Sequence, residues 1–247
     1  MKPLKIVTHT EYILEQSARP IAGLALIATV LLSLYTFKQQ TLVFLYMVYT
    51  IGVGFICPAT AGGYLADEIV TGRAQLYIAA GLRRMEYYAS WWLALVAFPA
   101  LATMLSMVLP LLVVNPHVLL EPPHGSLPLS IRQQSHLGLA LLFSLASAQA
   151  GVASYTFTVY IRKRNAAILS AMFYLVLAPL LAATLLGTMG VVPGSRGAVA
   201  AILAAFNVLI GAGVGGAGDY SYIVASALAM ILLSSLAAAA RVRRLEL

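Results

Sequence analysis

Three histidines and a glutamate lie close together in the sequence and have side chains that can bind metal ions. His117, His124 and His136 flank Glu121, and imidazole and carboxylate groups are common ligands of zinc and other transition metals. Their spacing matches no compact metal site, and a lone histidine in a solvent-facing loop is more often a surface residue. We therefore predict no metal site and no metal cofactor.

A glycine-rich run, Gly211-Ala212-Gly213-Val214-Gly215-Gly216, satisfies the G-x-G-x-x-G pattern of dinucleotide sites. That pattern binds a pyrophosphate only inside a βαβ unit, and no such unit surrounds this run. Gly211 and Gly215 instead form a small-xxx-small pair, which favours close packing of helices. The phosphate-binding motif G-x-x-x-x-G-K-[ST] does not occur in the sequence, so we expect any ATPase to be a separate subunit.

Acidic residues inside apolar runs commonly mark ion or proton pathways. Asp67, Glu68 and Glu86 fall at the edges of apolar runs on one side, and Asp219 on the other. No convergent set of catalytic residue types recurs, which argues against both a proton-coupled transporter and a membrane-embedded enzyme. Polar residues within the apolar runs either line a pathway or join helices through hydrogen bonds: Thr50, Gln149, Ser154, Tyr155, Thr156 and Tyr160.

The composition indicates an all-α polytopic membrane protein. Of the 247 residues 61% are hydrophobic and 9% are charged, whereas a soluble domain is about 25% charged. The net charge of +7 comes from basic residues at the ends of apolar runs, so they determine topology and do not form a nucleic-acid patch. Cys57 is the only cysteine, which excludes an intramolecular disulfide.

Six apolar runs are near or above the length of about 20 residues that a membrane span needs. They are 20–37, 41–65, 86–114, 134–161, 165–189 and 219–240. Six spans place both termini on one side, which carries twelve of the Lys and Arg residues against three on the other, namely Lys38, Arg132 and Arg196. Because basic residues favour the cytoplasmic side, we predict a multi-pass protein of the cell membrane with both termini in the cytoplasm.

The remaining segments connect or flank the spans within one transmembrane domain. Residues 1–19 lack a signal-peptide core and form a cytoplasmic interfacial segment, whose helix starts at an N-cap at Thr10 or earlier. The outer loop 115–133 is rich in proline, which predicts an ordered connector without a long helix. Residues 190–218 form an outer re-entrant segment, because a seventh span would export Arg241, Arg243 and Arg244. The apolar part, 198–216, can alternatively be a span beside a broken neighbour.

Residues 66–85 form the long polar interruption in the first half of the chain. As a single helix over 68–82, this segment has an apolar face formed by Ile69, Leu76, Tyr77 and Ala80. Glu68, Arg73 and Gln75 then project elsewhere. Gly72 and Gly81 bracket the segment as flexible or close-packing points. Arg83 and Arg84 anchor the next span in the cytoplasm.

This stretch resembles the cytoplasmic loop between spans two and three of ABC-2 type transporter permeases. The family pattern runs acidic-x-x-x-Gly-Thr-Leu-x-x-Leu-Leu-x-x-Pro-Val-Ser-Arg-x-Glu-aromatic. Residues in register with it are Glu68, Gly72, Leu76, Ile78, Leu82, Arg84, Glu86 and Tyr87. Residues that depart from it are Arg73, Ala74, Gly81 and Arg83. A weaker similarity covers 160–174, where a short basic turn joins spans four and five.

The resemblance implies a permease subunit that moves an unidentified substrate and pairs with a second copy, identical or related. In that family the loop helix is a coupling helix, which docks in a groove of a cytoplasmic ATPase and acts as a lever on spans two and three. The residues implied to contact the ATPase are Glu68, Gly72, Arg73, Leu76, Tyr77, Gly81, Arg83 and Arg84. A structural or assembly subunit of another membrane complex is the main alternative.

The predicted topology can be tested by labelling single cysteines in a Cys57-free chain. A cysteine at Ser126 should react with an impermeant thiol reagent from outside the cell, and one at Gln75 should not. The reverse pattern would contradict the orientation. Labelling of cysteines at both Gly194 and Arg243 from outside would instead indicate seven spans.

Overall fold

The computed structural model describes residues 9–13, 57–114, 116–122, 134–173, 184 and 196–244. These residues are helical, with no β-strand among them, which confirms the predicted all-α class. The predicted spans 20–37, most of 41–65 and most of 165–189 lie outside the described residues. Residue 9 is already helical, so the first helix does not begin with an N-cap at Thr10.

The described helices occur in the following order along the chain. They are α1 Cys57–Val70, α2 Arg73–Ala79, α3 Arg84–Trp92, a π-helical segment Leu93–Ala97, α4 Phe98–Val114, a 3-10 turn Pro116–Leu120, α5 His136–Ile161, α6 Arg164–Met172, α7 Arg196–Phe206, α8 Val208–Val214, a 3-10 turn Ala217–Asp219 and α9 Tyr220–Arg244. Within the described residues, three stretches are long and apolar enough to cross a membrane: Arg84–Leu109, α5 and α9. They correspond to the predicted spans 86–114, 134–161 and 219–240.

Helix α5 is the centre of the described bundle. Neighbouring helices bury 72% of its most apolar window, against 33% for Arg84–Leu109 and 22% for α9. Ser135 caps its first turn by accepting a hydrogen bond from the Gly138 amide at 3.1 Å. It ends at Arg162, whose φ of 54° is left-handed, and α6 begins two residues later. This is the short basic turn that the sequence predicted between these two elements.

Helices α3 and α4 run antiparallel to α5. The Tyr155 hydroxyl donates to the carbonyl of Tyr88 at 3.2 Å, and the Ser144 hydroxyl donates to the carbonyl of Ala100 at 2.9 Å. The later residue of α5 therefore contacts the earlier residue of the pair α3–α4. Polar span residues are used here to join helices.

Helix α9 instead runs parallel to α5. The Tyr220 hydroxyl, at the start of α9, donates to the carbonyl of Gly138 at 3.0 Å. At the other end, the Tyr160 hydroxyl donates to the carbonyl of Ala237 at 3.3 Å. The chain between α5 and α9 must therefore return to the end of the bundle from which α5 started.

The π-helical segment between α3 and α4 precedes Pro99. Because proline has no N–H, Pro99 cannot donate to the carbonyl of Leu95 four residues earlier. That carbonyl faces Gly151 of α5 so closely that a Cβ atom at position 151 would clash with it. The irregularity before Pro99 is thus a π-helical segment, accommodated by a glycine on the neighbouring helix.

Helices α7 and α8 fold back on each other as a hairpin. Asn207 is extended, with φ −154° and ψ 112°, and its side chain accepts from the amides of Leu209 and Ile210 as the N-cap of α8. Gly211 packs directly against Ala204 and the carbonyl of Ala200. Gly211 therefore permits a close approach of the two helices, as the small-xxx-small interpretation predicts, whereas a Cβ atom at Gly213 would meet no neighbouring atom.

Gln149 holds the break in this hairpin from the middle of α5. Its amide nitrogen donates to the carbonyl of Ala204 at 2.7 Å and to that of Ala205 at 3.3 Å. Its amide oxygen accepts from the Val208 amide at 2.8 Å. The side chain is only 4% exposed. It therefore satisfies backbone groups that the break at Asn207 leaves without helical partners.

We predict that Gln149→Met will loosen the α7–α8 hairpin, because methionine has a similar size and makes none of these bonds. The unpaired buried groups should lower the stability of the protein in detergent by about 2 kcal/mol or more, measured as a lower melting temperature. Thr156→Val is a matched control, since Thr156 makes one long bond of 3.4 Å to the carbonyl of Ser234. Equal melting temperatures for the two variants would contradict this role of Gln149.

Candidate functional site

A short exposed helix, α2, lies between two glycines with left-handed backbone. Gly72 has φ 75° and Gly81 has φ 96°, conformations that other residues adopt only at a cost. The sequence predicted a single helix over 68–82, and the structure shows that this prediction is wrong. The segment consists of the end of α1, a turn at Thr71 and Gly72, and the seven residues of α2.

Glu68, in the last turn of α1, is bound by two side chains of α3. The Tyr87 hydroxyl donates to its Oε2 atom at 2.7 Å, and the Trp91 indole N–H donates to the same oxygen at 3.2 Å. Glu68 is only 6% exposed, so the prediction that it projects from the surface is wrong. Tyr87 and Trp91 lie one helical turn apart, which places both donors on the same face of α3.

Glu86 is the second buried carboxylate at this junction, and its role is local. Its Oε2 atom accepts from the amide of Arg83 at 3.0 Å. This satisfies an N–H at the start of α3 that has no helical partner. The Arg-x-Glu part of the ABC-2 pattern has, in this chain, a helix-capping glutamate as its last residue.

Aromatic rings pack around Tyr87, one of the two side chains that bind Glu68. The ring of His9 lies 4.9 Å from that of Tyr77 and 5.2 Å from that of Tyr87, between ring centroids. Tyr12 lies 6.2 Å from Tyr77. We refer to Glu68, Tyr87, Trp91, His9, Tyr12 and Tyr77 as the Glu68 cluster. It brings the N-terminal segment, α1, α2 and α3 together at one end of the bundle.

Burial shifts two titratable groups of the Glu68 cluster in opposite directions. Burial raises the pKa of Glu68, against the hydrogen bonds from Tyr87 and Trp91 and the charge of Arg73, which lower it. Burial lowers the pKa of His9 to about 4, so His9 is neutral at physiological pH. Neither ring nitrogen of His9 has a hydrogen-bond partner in the described part of the chain.

The predicted ATPase-contact residues divide into outward and inward groups. Leu76 is 69% exposed, and Arg73 and Arg83 are also exposed. Tyr77 is half-buried under the rings of the N-terminal segment, and Arg84 is half-buried at the start of α3. Gly72 and Gly81 act through their backbone. The outward surface of α2 is therefore carried mainly by Arg73 and Leu76.

Trp91 and His9 belong to the Glu68 cluster but were not predicted from the sequence. The spacing of Tyr87 and Trp91 was the available signal for Trp91, since a hydrogen-bond donor one turn beyond Tyr87 can reach the same acid. Nothing in the sequence indicates that His9 packs against Tyr77 and Tyr87, which lie 68 and 78 residues later in the chain. Among the described residues, no group of three or more His, Cys, Asp or Glu side chains comes together to hold a metal.

Comparison of the chain with protein-family models, curated proteins and solved structures finds no match. Both side chains that donate hydrogen bonds to Glu68 belong to α3, and Glu68 itself belongs to α1. The arrangement joins the two helices that flank α2 through side-chain hydrogen bonds.

We predict that Glu68→Gln will change how stability depends on pH. A raised pKa in the folded state means that the folded protein binds the proton more tightly, so stability from this group is full below pH 4.5 and is lost as pH rises through the folded pKa. Glutamine still accepts from Tyr87 and Trp91 but carries no charge. The wild type should therefore lose stability relative to Glu68→Gln as the pH rises.

The measurement is the difference in melting temperature between wild type and Glu68→Gln from pH 4 to pH 8 in detergent. Taking the difference removes the titration of His9, which occurs in both proteins. Glu121→Gln, at an exposed position, is the control and should show a flat difference. If the wild type instead gained stability relative to Glu68→Gln as the pH rises, the inference that burial raises the pKa of Glu68 would be wrong.

Proposed function

We propose that the chain is the transmembrane permease subunit of an ATP-binding-cassette transporter. It would pair with a second permease copy, be driven by separate cytoplasmic ATPase subunits and move an unidentified substrate. The observation that carries the proposal is helix α2, which is exposed and lies between two helices, α1 and α3, that are joined to each other through Glu68. The resemblance of residues 66–88 to the ABC-2 pattern supports the same function.

The outward side of α2 suits docking into a groove of a partner. Burying an apolar side chain such as Leu76 stabilises an interface by about 1.5–3 kcal/mol. Arg73, beside it, adds a charge that can pair at the rim of the groove and set orientation. Docking would therefore hold α2 through one apolar contact and one charged contact, with Gly72 and Gly81 as its pivots.

Movement of α2 would reach α1 and α3 together. Glu68 lies four residues before Gly72, and its two donors lie within the first turns of α3. Because both donors are hydrogen-bonded to the same carboxylate oxygen of Glu68, the end of α1 and the start of α3 are expected to shift as a unit. This is how ATP-driven closure of the ATPases would be transmitted to the membrane helices.

The parallel orientation of α5 and α9 supports the six-span plan. The chain between them must cross the membrane an odd number of times. The hairpin α7–α8 has helices of about 17 Å and 10 Å, each too short to span about 30 Å. One crossing by residues 165–189 meets the requirement, and 190–218 is then the outer re-entrant segment. With twelve basic residues at the other end, that end lies in the cytoplasm.

A non-transporting structural or assembly subunit is the second candidate. Its support is that polar residues of α5 bond to neighbouring backbone instead of facing a pathway. Gln149, Tyr155, Thr156 and Tyr160 all donate to carbonyl groups of other helices. In that case α2 would dock on a partner whose association has no effect on ATP hydrolysis.

We predict that Arg73→Glu combined with Leu76→Ala will reduce recovery of the partner ATPase on purification by on the order of tenfold, since both outward contacts are lost. Stimulation of ATP hydrolysis by the permease should fall in parallel. Tyr77 is left unchanged because its ring packs inward. The substitutions lie on an exposed surface, so membrane insertion should be unchanged. The melting temperature should fall only as far as Arg73→Glu removes the favourable charge near Glu68, and Arg73→Gln with Leu76→Ala separates that effect from docking.

A matched control reverses one charge and truncates one exposed apolar side chain outside the predicted contact set. Arg243→Glu with Val70→Ala fulfils this, because both positions are exposed. Wild-type recovery and stimulation with the α2 variant would overturn the coupling-helix assignment. Reduced recovery of a partner without any effect on ATP hydrolysis would favour the assembly-subunit alternative.

A further inference from the structure

A cavity of about 410 Å³ lies between α3, α5 and α9, near the end of the bundle that carries the basic residues. This volume is within the range of about 300–1,000 Å³ that is typical of ligand sites. The lining residues are Met85, Tyr88, Ala89, Trp92, Leu93, Tyr155, Leu232, Ser235, Leu236, Ala239 and Val242. Leu93, Leu232 and Leu236 are exposed, so the cavity opens sideways, towards the lipid that surrounds the spans.

The wall of the cavity is apolar because most of its polar groups bond to one another. The Trp92 indole N–H donates to the Ser235 hydroxyl at 2.9 Å, and that hydroxyl donates to the carbonyl of Ile231 at 2.7 Å. The Tyr155 hydroxyl is bound to the carbonyl of Tyr88. A hydrocarbon chain can therefore occupy the cavity without leaving a buried polar group unpaired.

The Tyr88 hydroxyl is the exception among these groups. The Tyr88 side chain is 1% exposed, and its hydroxyl has no hydrogen-bond partner in the described part of the chain. The positive charges of Arg84 and Arg162 both act on this hydroxyl. A buried donor without a partner is costly, and here it lies in a positive field that favours an anion.

A third arginine adds to the positive charge at this end of the cavity. Arg241 lies one residue before the lining residue Val242, and its guanidinium is held 5.8 Å above the ring of Tyr160. Its Nε atom is buried and has no hydrogen-bond partner among the described residues. The three arginines do not line the cavity themselves. Arg84 and Arg162 act on the lining residue Tyr88, and Arg241 precedes the lining residue Val242.

We propose that this cavity binds a phospholipid with an anionic headgroup from the surrounding membrane. One acyl chain fills the apolar cavity. The phosphate lies at Arg84, Arg162 and Arg241, where it accepts hydrogen bonds from Tyr88 and the arginines. By the distribution of basic residues, this lipid belongs to the cytoplasmic leaflet. The site depends on the chain's lying in a membrane and not on the identity of any ATPase partner.

Fluorescence quenching by brominated lipids tests the proposal, because Trp92 lines the cavity. The full chain is reconstituted in phosphatidylcholine vesicles that contain increasing fractions of phosphatidylglycerol or phosphatidylcholine with brominated acyl chains. The quenching of Trp92 is obtained by subtracting the fluorescence of Trp92→Phe from that of the wild type. This subtraction removes the contribution of Trp91. We expect half-maximal quenching at an order of magnitude lower fraction of the brominated anionic lipid.

Substituted arginines separate a bound lipid from general attraction to a basic protein. Arg162→Gln with Arg241→Gln should reduce the preference for the anionic lipid to about twofold or less. Arg243→Gln with Arg244→Gln removes the same charge from exposed positions at the same end and should leave the preference unchanged. Tyr88→Phe should lower the preference while keeping the fold, since only one unpaired hydroxyl is lost.

Filling the cavity provides a second measurement. Ala239→Phe should weaken the quenching of Trp92 by both lipids, because the acyl chain is displaced. Equal quenching by both brominated lipids in the wild type would overturn the proposal and indicate unselective boundary lipid only. The same conclusion would follow if the exposed pair Arg243 and Arg244 proved as important as Arg162 and Arg241.

Discussion

Backbone groups without a helical partner set the main constraint on this structure, because lipid offers them no hydrogen bonds. The break at Asn207 frees carbonyl and amide groups, and Gln149 binds three of them from the centre of α5. The irregularity at Pro99 is covered in a different way, by the bare backbone of Gly151. Helix α5 therefore accommodates both places where its neighbours depart from α-helix. At one it provides the polar side chain of Gln149, and at the other it provides space, because Gly151 has no side chain.

The Glu68 cluster applies the same constraint to a side chain. A buried carboxylate is costly unless it is hydrogen-bonded, and Tyr87 and Trp91 supply that bonding from a single face of α3. This buried carboxylate lies where α1 and α3, the helices on either side of the exposed helix α2, are joined. A fully apolar contact could pack these helices equally well, but it would fix their relative positions less specifically.

The helical class and the three long described spans could be predicted because hydrophobic run length and charge placement are local properties of the sequence. Gly72 and Gly81 were identified from the sequence as flexible or close-packing points, but the helix was predicted to continue through them. The inward direction of Glu68 could not be predicted from helical periodicity, since Gly72 ends α1 and resets the phase of α2. The contact between His9 and Tyr77 depends on how distant segments fold together, which leaves no periodic signal in either segment.

The π-helical segment also determines which way the second half of its helix faces. Such a segment is equivalent to one residue inserted into an α-helix, and one residue turns an α-helix by about 100°. Leu93–Ala97 therefore rotates α4 about its own axis relative to the direction that α3 would impose. Met107 and Leu111 are buried as a result, while Leu105 and Leu109 are exposed. A single-residue deletion within Leu93–Ala97 would turn Met107 and Leu111 out of the bundle. It would do so although every residue of α4 would still be present.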